Sequence, residues 1–499
     1  MAKIVYIPLD ERPCNRKFPY ELFHQGNVEI IIPPLSILPS KRQSGNVEAL
    51  QHFLTKETKD ADGLVLCIDT LLYGGLVPSR IHTLSDEVIA ARFEFLTTLK
   101  KQNPQLVIFA CQVIMRSPQY NGADEEPLYY KVYGEKIFQY GKYLHKQQLH
   151  SLTPEQKQLW ENLNIPEDYL HDFIQRRQLN LSYNLKSLDY LQDQKLDFLI
   201  MCQDDAAEFG FPAMDQEVIT KAIKAKHLRL KAYAYSGADE LGVILVARMV
   251  AHLEKRIPKF YVKYPSPTSA MVVPCLEDRY LDNTIKYQIL SAGGMMVSTV
   301  AEADIILVVL MGATKMFPRP VYHDREIDVC INLIEAFEFI KQYQGQKHLA
   351  IADLLYLNAG SLDVLDLLKE SKLLTQVAAY SGWNTASNAL GTAVAQAISV
   401  FFFGYTREQR RFLFKRYVED VGYCGLVRSK VTEQLPFFQL DYFHVVEQRG
   451  VASLLVKHEL EAFIRHQLAE VEAEFQLVDV QLPWKRMFEV DFDILLKGE

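Results

Sequence analysis

The chain has 499 residues, 49% of them hydrophobic and 23% charged, with a formal net charge of −8. That is a globular balance, long enough for two or three domains and a large core. No basic or acidic block interrupts it, so neither a nucleic acid nor an anionic membrane is expected as a partner.

The N-terminus, MAKIVYIPLDERPCN, goes directly into strand pattern and lacks a signal-peptide run. Apolar segments such as Ile305 to Met311 are too short to span a bilayer. Cysteines at 14, 67, 111, 202, 275, 330 and 424 are scattered without CxxC spacing. Cys67, Cys111, Cys202 and Cys275 fall in apolar runs, where a thiol behaves as a small hydrophobe. A reduced, cytoplasmic protein is the expectation.

In chain order, Lys3 to Pro8 is a β-branched strand that ends in Leu9-Asp10-Glu11-Arg12-Pro13-Cys14-Asn15. Glu29 to Pro33 is a second strand, and Asn46 to Lys56 a helix. Gly63 to Ile68 is a strand followed by Asp69 and by Tyr73-Gly74-Gly75, with Arg80 beyond. Ser85 to Lys101 is helical, and Leu106 to Ile114 is a strand that ends in Met115-Arg116. From 121 to 194 the periodicity predicts a helical insertion, with Pro154 and Pro166 at helix starts. Phe198 to Cys202 is a short buried strand that runs into Gln203-Asp204-Asp205, followed by a helix from Met214 to Lys226. Leu228 to Tyr235 leads out through Ser236-Gly237-Ala238 to Asp239-Glu240, ahead of a helix from Val243 to Lys255.

Unbroken apolar strands separated mostly by helices predict a parallel sheet covered on both faces. A TIM-barrel-like N-terminal domain over 1–256 is the expected fold, with an open doubly wound parallel sheet as the runner-up. A barrel needs two further strands, which would have to come from Phe260 to Leu310. A second α/β domain over 257–404 and a mainly helical region over 405–499 complete the prediction. In the second half, Phe260 to Tyr264, Ala270 to Val273, Ala303 to Leu310, His348 to Ala352 and Gln376 to Tyr380 read as strands. Asp282 to Ser291, Glu326 to Gln344 and Ala389 to Ser399 read as helices. No internal repeat is evident in the sequence.

The chemistry collects after the strands. Two adjacent carboxylates fit an apolar strand poorly unless the strand ends there, and α/β proteins hold their chemistry at that end. Asp204 and Asp205 can supply a general acid and a charge stabiliser, or two metal ligands. The structural alternative is an Asp N-cap on the following helix. Asp10 and Glu11, with Arg12 and Asn15, form either a substrate-clamping loop or a salt-bridged turn fixed by Pro13. Asp239-Glu240 is a second acid pair or a dipole-satisfying helix start. Asp69, Arg80 and Arg116 would line the same rim. Trp383 with Asn384 and Asn388 offers either a sugar-stacking platform with hydrogen-bonding amides or a packed Trp with Asn caps. GxGxxG, P-loop, HExxH and GxSxG patterns are absent from the sequence.

PLDERPCN, the QDD strand end and the segment SGWNTASN together resemble a bacterial family catalogued as a domain of unknown function, numbered 4127, over essentially the whole chain. That resemblance implies no activity. A strand ending in adjacent acids is also similar to the Asp-Asp pair of O-GlcNAcase-like N-acetylglucosaminidases. Asp239-Glu240 after Ser-Gly-Ala resembles the Gly-Asp-Glu segment of the other large hexosaminidase family, although Tyr235-Ser236 replaces the histidine found there. The first resemblance implies that Asp204 holds an acetamide and that Asp205 is the acid.

These readings lead to an expected glycoside hydrolase for a small carbohydrate substrate, N-acetylhexosaminides included, without a cofactor and with a homo-oligomer left open. Its catalytic residues would be Asp204, Asp205, Asp10 and Glu240. A pKa split between the paired acids would keep one of them protonated. Adjacent acids cannot by themselves oppose each other across a glycosidic bond, so either an N-acetyl group assists or another rim carboxylate takes part. The alternatives are a hydrolase or phosphatase using Mg²⁺ or Mn²⁺ on Asp10, Asp69, Asp204 and Asp205, and a sugar-binding protein without turnover.

Overall fold

The computed structural model describes residues 1–320, 325–472 and 474–496, and it divides into two compact units. Unit 1 comprises Met1–Arg16, Asn27–Met249 and Leu276–Asp278; unit 2 comprises Lys17–Gly26, Val250–Cys275 and Arg279–Glu499.

Unit 1 is built on six parallel strands: β1 (Ala2–Ile7), β2 (Val28–Ile31), β3 (Gly63–Cys67), β4 (Val107–Ile114), β5 (Phe198–Gln203) and β6 (Ala232–Ser236). Their order is β2-β1-β3-β4-β5-β6. Alternate residues serve opposite faces. Val5, Ile7, Leu64, Leu66, Ile108 and Leu199 join one core with Leu50 and Leu54 of the helix Val47–Glu57 and Phe93 and Leu96 of the helix Asp86–Gln102. On the other face the Arg248 guanidinium lies 3.6 Å over the Phe198 ring. A Cβ on Gly63 would meet Met249 Sδ at 2.5 Å, so the helix Leu241–Leu253 sits directly on β3.

The expected barrel is corrected here. The sheet is open, with edges at β2 and β6, because the chain adds β2 on one side of β1 and then returns to add β3 to β6 on the other. The strands expected to close it belong to the sheet of unit 2. The predicted insertion is helical, as Tyr130–Gln148, Pro154–Glu161 and Glu167–Gln192. Thr153 and Gln156 form a capping box around Pro154 at the first helical position.

Unit 2 holds a second all-parallel sheet of β7 (Lys259–Lys263), β8 (Met295–Met296), β9 (Ile305–Leu310), β10 (His348–Asp353) and β11 (Ala379–Ser381), in the order β11-β10-β9-β7-β8. Read along the chain, this is the order of the first five strands of unit 1, a topological repeat that the sequence does not display. The predicted strand at 270–273 is instead part of a 3₁₀ turn, Pro267–Met271, and the coil beyond it. Pro267 favours the turn, and Ser269 Oγ donates to the Met311 carbonyl at 2.8 Å. The predicted helix at 326–344 breaks at Ile331, and Asn332 caps a new helix, Leu333–Tyr343, by accepting the Glu335 N–H.

The region after 405 is helical over Arg407–Arg416, π-helical over Tyr417–Val427, and helical again over Arg428–Thr432 and Val451–Gln467. An antiparallel pair of strands, β12 (Phe475–Gln481) and β13 (Asp491–Leu496), then follows, which the sequence reading missed. Residues 473 and 497–499 of that region lie outside the described residues. Among the described residues one helix, Ala386–Phe403, is long and apolar enough to cross a membrane, and 83% of it is buried inside the fold. It is longer than any apolar run anticipated from the sequence.

Buried carboxylates pin the loops of unit 2. Asp353 Oδ2 accepts from Tyr380 Oη at 2.8 Å and from Ser361 N at 2.7 Å. Asp420, on the π-helical segment, accepts from Gly382 N at 2.8 Å and from Arg416 at 3.0 Å. Gly382 passes so close to Gly360 that an added Cβ would lie 2.7 Å from the Gly360 Cα. Backbone cannot yield as a side chain can, so Gly382→Ala is expected to cost about 1–3 kcal/mol in urea unfolding. An unchanged midpoint would show that this loop relaxes freely.

Candidate functional site

All the rim residues predicted from the first half of the chain lie in unit 1, at the carboxyl ends of its strands. Asp10, Arg12, Asn15 and Asp239 form one ion-paired group and Arg80, Arg116, Asp204 and Asp205 belong to another, while Asp69, Glu11 and Glu240 stand outside both. In an open doubly wound sheet this edge, near the point where strand order reverses, is where ligands bind. That point lies between β1 and β3.

The first group closes on Arg12. Its Nε and Nη2 donate to Asp10 Oδ2 at 2.9 and 2.7 Å, while Nη1 and Nη2 donate to Asp239 at 3.1 and 2.5 Å. Asn15 Nδ2 donates to Asp10 Oδ1 and to Asp239 Oδ1, both at 3.1 Å. Tyr6 donates its hydroxyl to the Asn15 carbonyl, which fixes the start of the helix Pro13–Phe23. Burial, with Asp10 and Asp204 adding to it, pushes the Asp239 carboxyl up to about 6 against the pull of Arg12.

The second group is built on two buried arginines. Arg80 Nη2 donates to Asp204 Oδ2 at 2.8 Å, and Nη1 donates to Glu125 at 2.9 Å and Glu126 at 3.4 Å. Arg116 Nη1 bridges Asp204 and Asp205, 3.0 Å from each. Its Nε and Nη2 reach Glu126 at 2.8 Å and Glu125 at 3.2 Å. Burial works against the charge on Arg116, but Glu125, Glu126 and Asp204 override it and raise its pKa. Burial and the neighbouring Asp204 push the Asp205 carboxyl up to about 7, with Arg116 and Arg80 pulling the other way. Asp205 has φ 47°, a left-handed conformation that Asp tolerates, immediately after β5.

Other predicted residues hold the scaffold. Asp69 is buried and accepts the Val113 N–H at 2.8 Å, tying β3 to β4, and burial pushes its carboxyl up to about 7. Glu11 Oε1 accepts the Lys41 N–H at 2.8 Å. Glu240 is fully buried and turns back to accept the Ala238 N–H at 3.0 Å, crowding Gly237 at φ 129°. Its place is the helix start that the sequence reading weighed against an acid.

Trp383, Asn384 and Asn388 lie in unit 2. Trp383 is not a surface platform: it is buried, its indole N–H donates to Thr392 Oγ1 at 3.0 Å, and its ring meets Phe18 edge-on. The indole's one donor is satisfied nine residues on, leaving the ring as core. Asn384 is left-handed at φ 57°, and its carbonyl accepts the Asn358 N–H. Asn388 donates its side-chain amide to Thr385, the residue that caps the helix Ala386–Phe403.

The sequence reading also missed residues. Glu125 and Glu126 are an adjacent acid pair like Asp204 and Asp205, but no strand precedes them; the doublet itself was the only signal. Their loop is held by Arg42, which donates to the carbonyls of Ala123 and Glu126, each at 2.7 Å, and by the Lys41–Asp124 ion pair. Asp278 belongs to the short segment Leu276–Asp278. It accepts from Ser236 at 2.8 Å and from Gln216 at 3.0 Å, while Gln216 also donates to Gln203 at 2.6 Å. Tyr120 is half exposed; Arg116 pulls its hydroxyl down, but burial and the carboxyls of Asp205, Glu125 and Glu126 push it up to about 12. Among the described residues no group of three or more His, Cys, Asp or Glu is arranged to hold a metal ion.

Fold and rim together define a two-unit α/β protein with parallel sheets and an arginine-bridged cluster of acids at the carboxyl edge of the first. The chain belongs to the family described as protein of unknown function (DUF4127), whose model matches residues 4–493. No curated protein matches it.

Proposed function

We propose that the protein is a hydrolase of small glycosides in which Asp205 is the general acid. The observation that carries this reading is the pair Asp204–Asp205, two carboxyls on one guanidinium nitrogen, with Asp205 pushed up to about 7. Asp205 can hold a proton at neutral pH beside Asp204, the separation of roles that acid catalysis needs. Arg80 and Arg116 fix Asp204 from two sides, which suits it to orient substrate or to stabilise developing charge. The second carboxylate, if no substrate group assists, is best supplied by Asp239, whose pKa already feels Asp204. Tyr120 offers an exposed ring on which a sugar can stack.

The metal-dependent alternative has less support. Asp10 is engaged by Arg12 and Asn15, and Asp69 by a backbone N–H, so neither is arranged as a ligand with the acid pair.

A panel of nitrophenyl glycosides, N-acetylated and not, assayed with and without EDTA tests the reading. Release that is insensitive to EDTA is expected. Release that EDTA abolishes and Mg²⁺ or Mn²⁺ restores would replace it with the metal-dependent reading, and tight sugar binding without release would make the protein a binding protein.

A further inference from the structure

The charge balance of the rim and two of its oxygen atoms point to the kind of sugar. Six carboxyls, on Asp10, Glu125, Glu126, Asp204, Asp205 and Asp239, are ion-paired to three guanidiniums, on Arg12, Arg80 and Arg116, and five carboxyls remain against those three when Asp205 holds its proton. Each of these arginines is ion-paired to protein carboxylates, so an anionic ligand would meet a field of its own sign.

Two buried oxygens in these groups, Asn15 Oδ1 and Glu126 Oε2, lack a hydrogen-bond partner among the described residues, as does one nitrogen, Arg80 Nε. Each belongs to a side chain at least nine-tenths buried. Asn15 must turn its nitrogen to Asp10 and Asp239, which leaves its oxygen on the other side of the same small amide. Glu126 spends Oε1 on both arginines and leaves Oε2 beside them. Both oxygens only accept, so the group that satisfies them must donate, while the Arg80 Nε–H calls for an acceptor such as a sugar hydroxyl. A buried acceptor without a donor costs free energy that a donating ligand recovers.

We infer that the rim selects a sugar carrying an unacylated amine, a 2-amino-2-deoxy sugar, over its neutral, N-acetylated and acidic counterparts. An ammonium supplies positive charge against the surplus of carboxyls together with N–H donors, one of which either orphaned acceptor can take. An acetamide keeps one N–H and no charge, and a uronic acid reverses the charge. The inference rests on the glycoside reading for the word sugar, but its amine preference rests on the rim itself.

The test is calorimetric binding of glucosamine, glucose, N-acetylglucosamine and glucuronic acid to the full chain at pH 6.5, alongside turnover of the matching nitrophenyl glycosides. Glucosamine is expected to bind at least about tenfold more tightly than each of the others, a margin that shrinks as salt is added. Glu126→Gln is expected to narrow the margin over glucose severalfold, and circular dichroism will show whether the variant is folded. Glu125→Gln, at a partly exposed carboxyl in the same group, is expected to act in the same direction if Glu126→Gln does not fold. Equal or weaker binding of glucosamine, or no binding of it, overturns the inference. Turnover that favours N-acetylated or neutral glycosides overturns it while leaving the hydrolase reading intact. A glucosamine preference without turnover of any glycoside supports it and removes the hydrolase reading.

Discussion

Asp205→Asn is expected to lower kcat for a cleaved glycoside by about a thousandfold while leaving KM within a fewfold, because a positioned general acid is worth that order of acceleration. The amide still accepts the Arg116 hydrogen bond, so the geometry of the pair survives while the proton is lost. The wild-type profile carries the same signature. Asp205 donates only while protonated, so kcat/KM should hold on the acid side and fall as pH rises through about 7. Stability gives a readout independent of any substrate. A carboxyl raised from 3.8 to about 7 binds more protons in the folded chain than in the unfolded one. The stability it contributes is therefore fully present below the unfolded value and is lost as pH rises through the folded one. The variant lacks that titration, so thermal unfolding should find it more stable than wild type at pH 8 and closer to it at pH 5. Equal pH dependence in both proteins would mean that Asp205 titrates normally, and the assignment of the acid would fall.

Removing Arg116 should have the largest effect on folding. Four carboxyls then lose a guanidinium that pairs with each of them in a largely buried setting, and breaking such a group typically costs on the order of 3–5 kcal/mol. Arg116→Met keeps much of the volume and tests the charge; urea unfolding is the measurement. Arg116→Lys restores a charge without the planar fork that reaches four acids, so it should recover part of the stability and little of the activity. If Arg116→Met unfolds at the wild-type midpoint, the acids must be neutral or hydrated in the folded chain, and the electrostatic description of the rim is wrong.

Strands and the acids after them were legible because each is a local pattern: an apolar run, then a polar break. Which strands pair is not local. Six apolar runs separated by helices look the same whether the sheet closes or stays open, and only the reversal at β1 decides it. The same distance hides the Arg12–Asp239 pairing, across 227 residues, although both residues had been singled out separately. Trp383 misled for a different reason. Rarity and a strand-end position suggested exposure, but Thr392 and Phe18 are what bury it, and neither is adjacent in sequence. β12 and β13 escaped because their half-buried alternation, with Asp479 and Asp491 within it, lacks the apolar run that marked the others.

The exchange of short segments between the units bears on how the protein is made. Lys17–Gly26 is translated early but belongs to unit 2, and Leu276–Asp278 completes unit 1 from beyond the first residues of unit 2. A ribosome therefore cannot release a finished first unit when residue 249 emerges: Asp278, which anchors Ser236 and Gln216, is still unsynthesised. Expression of the first 256 residues alone would leave that end of the sheet without its strap, and a clone cut between the apparent halves would yield two incomplete pieces.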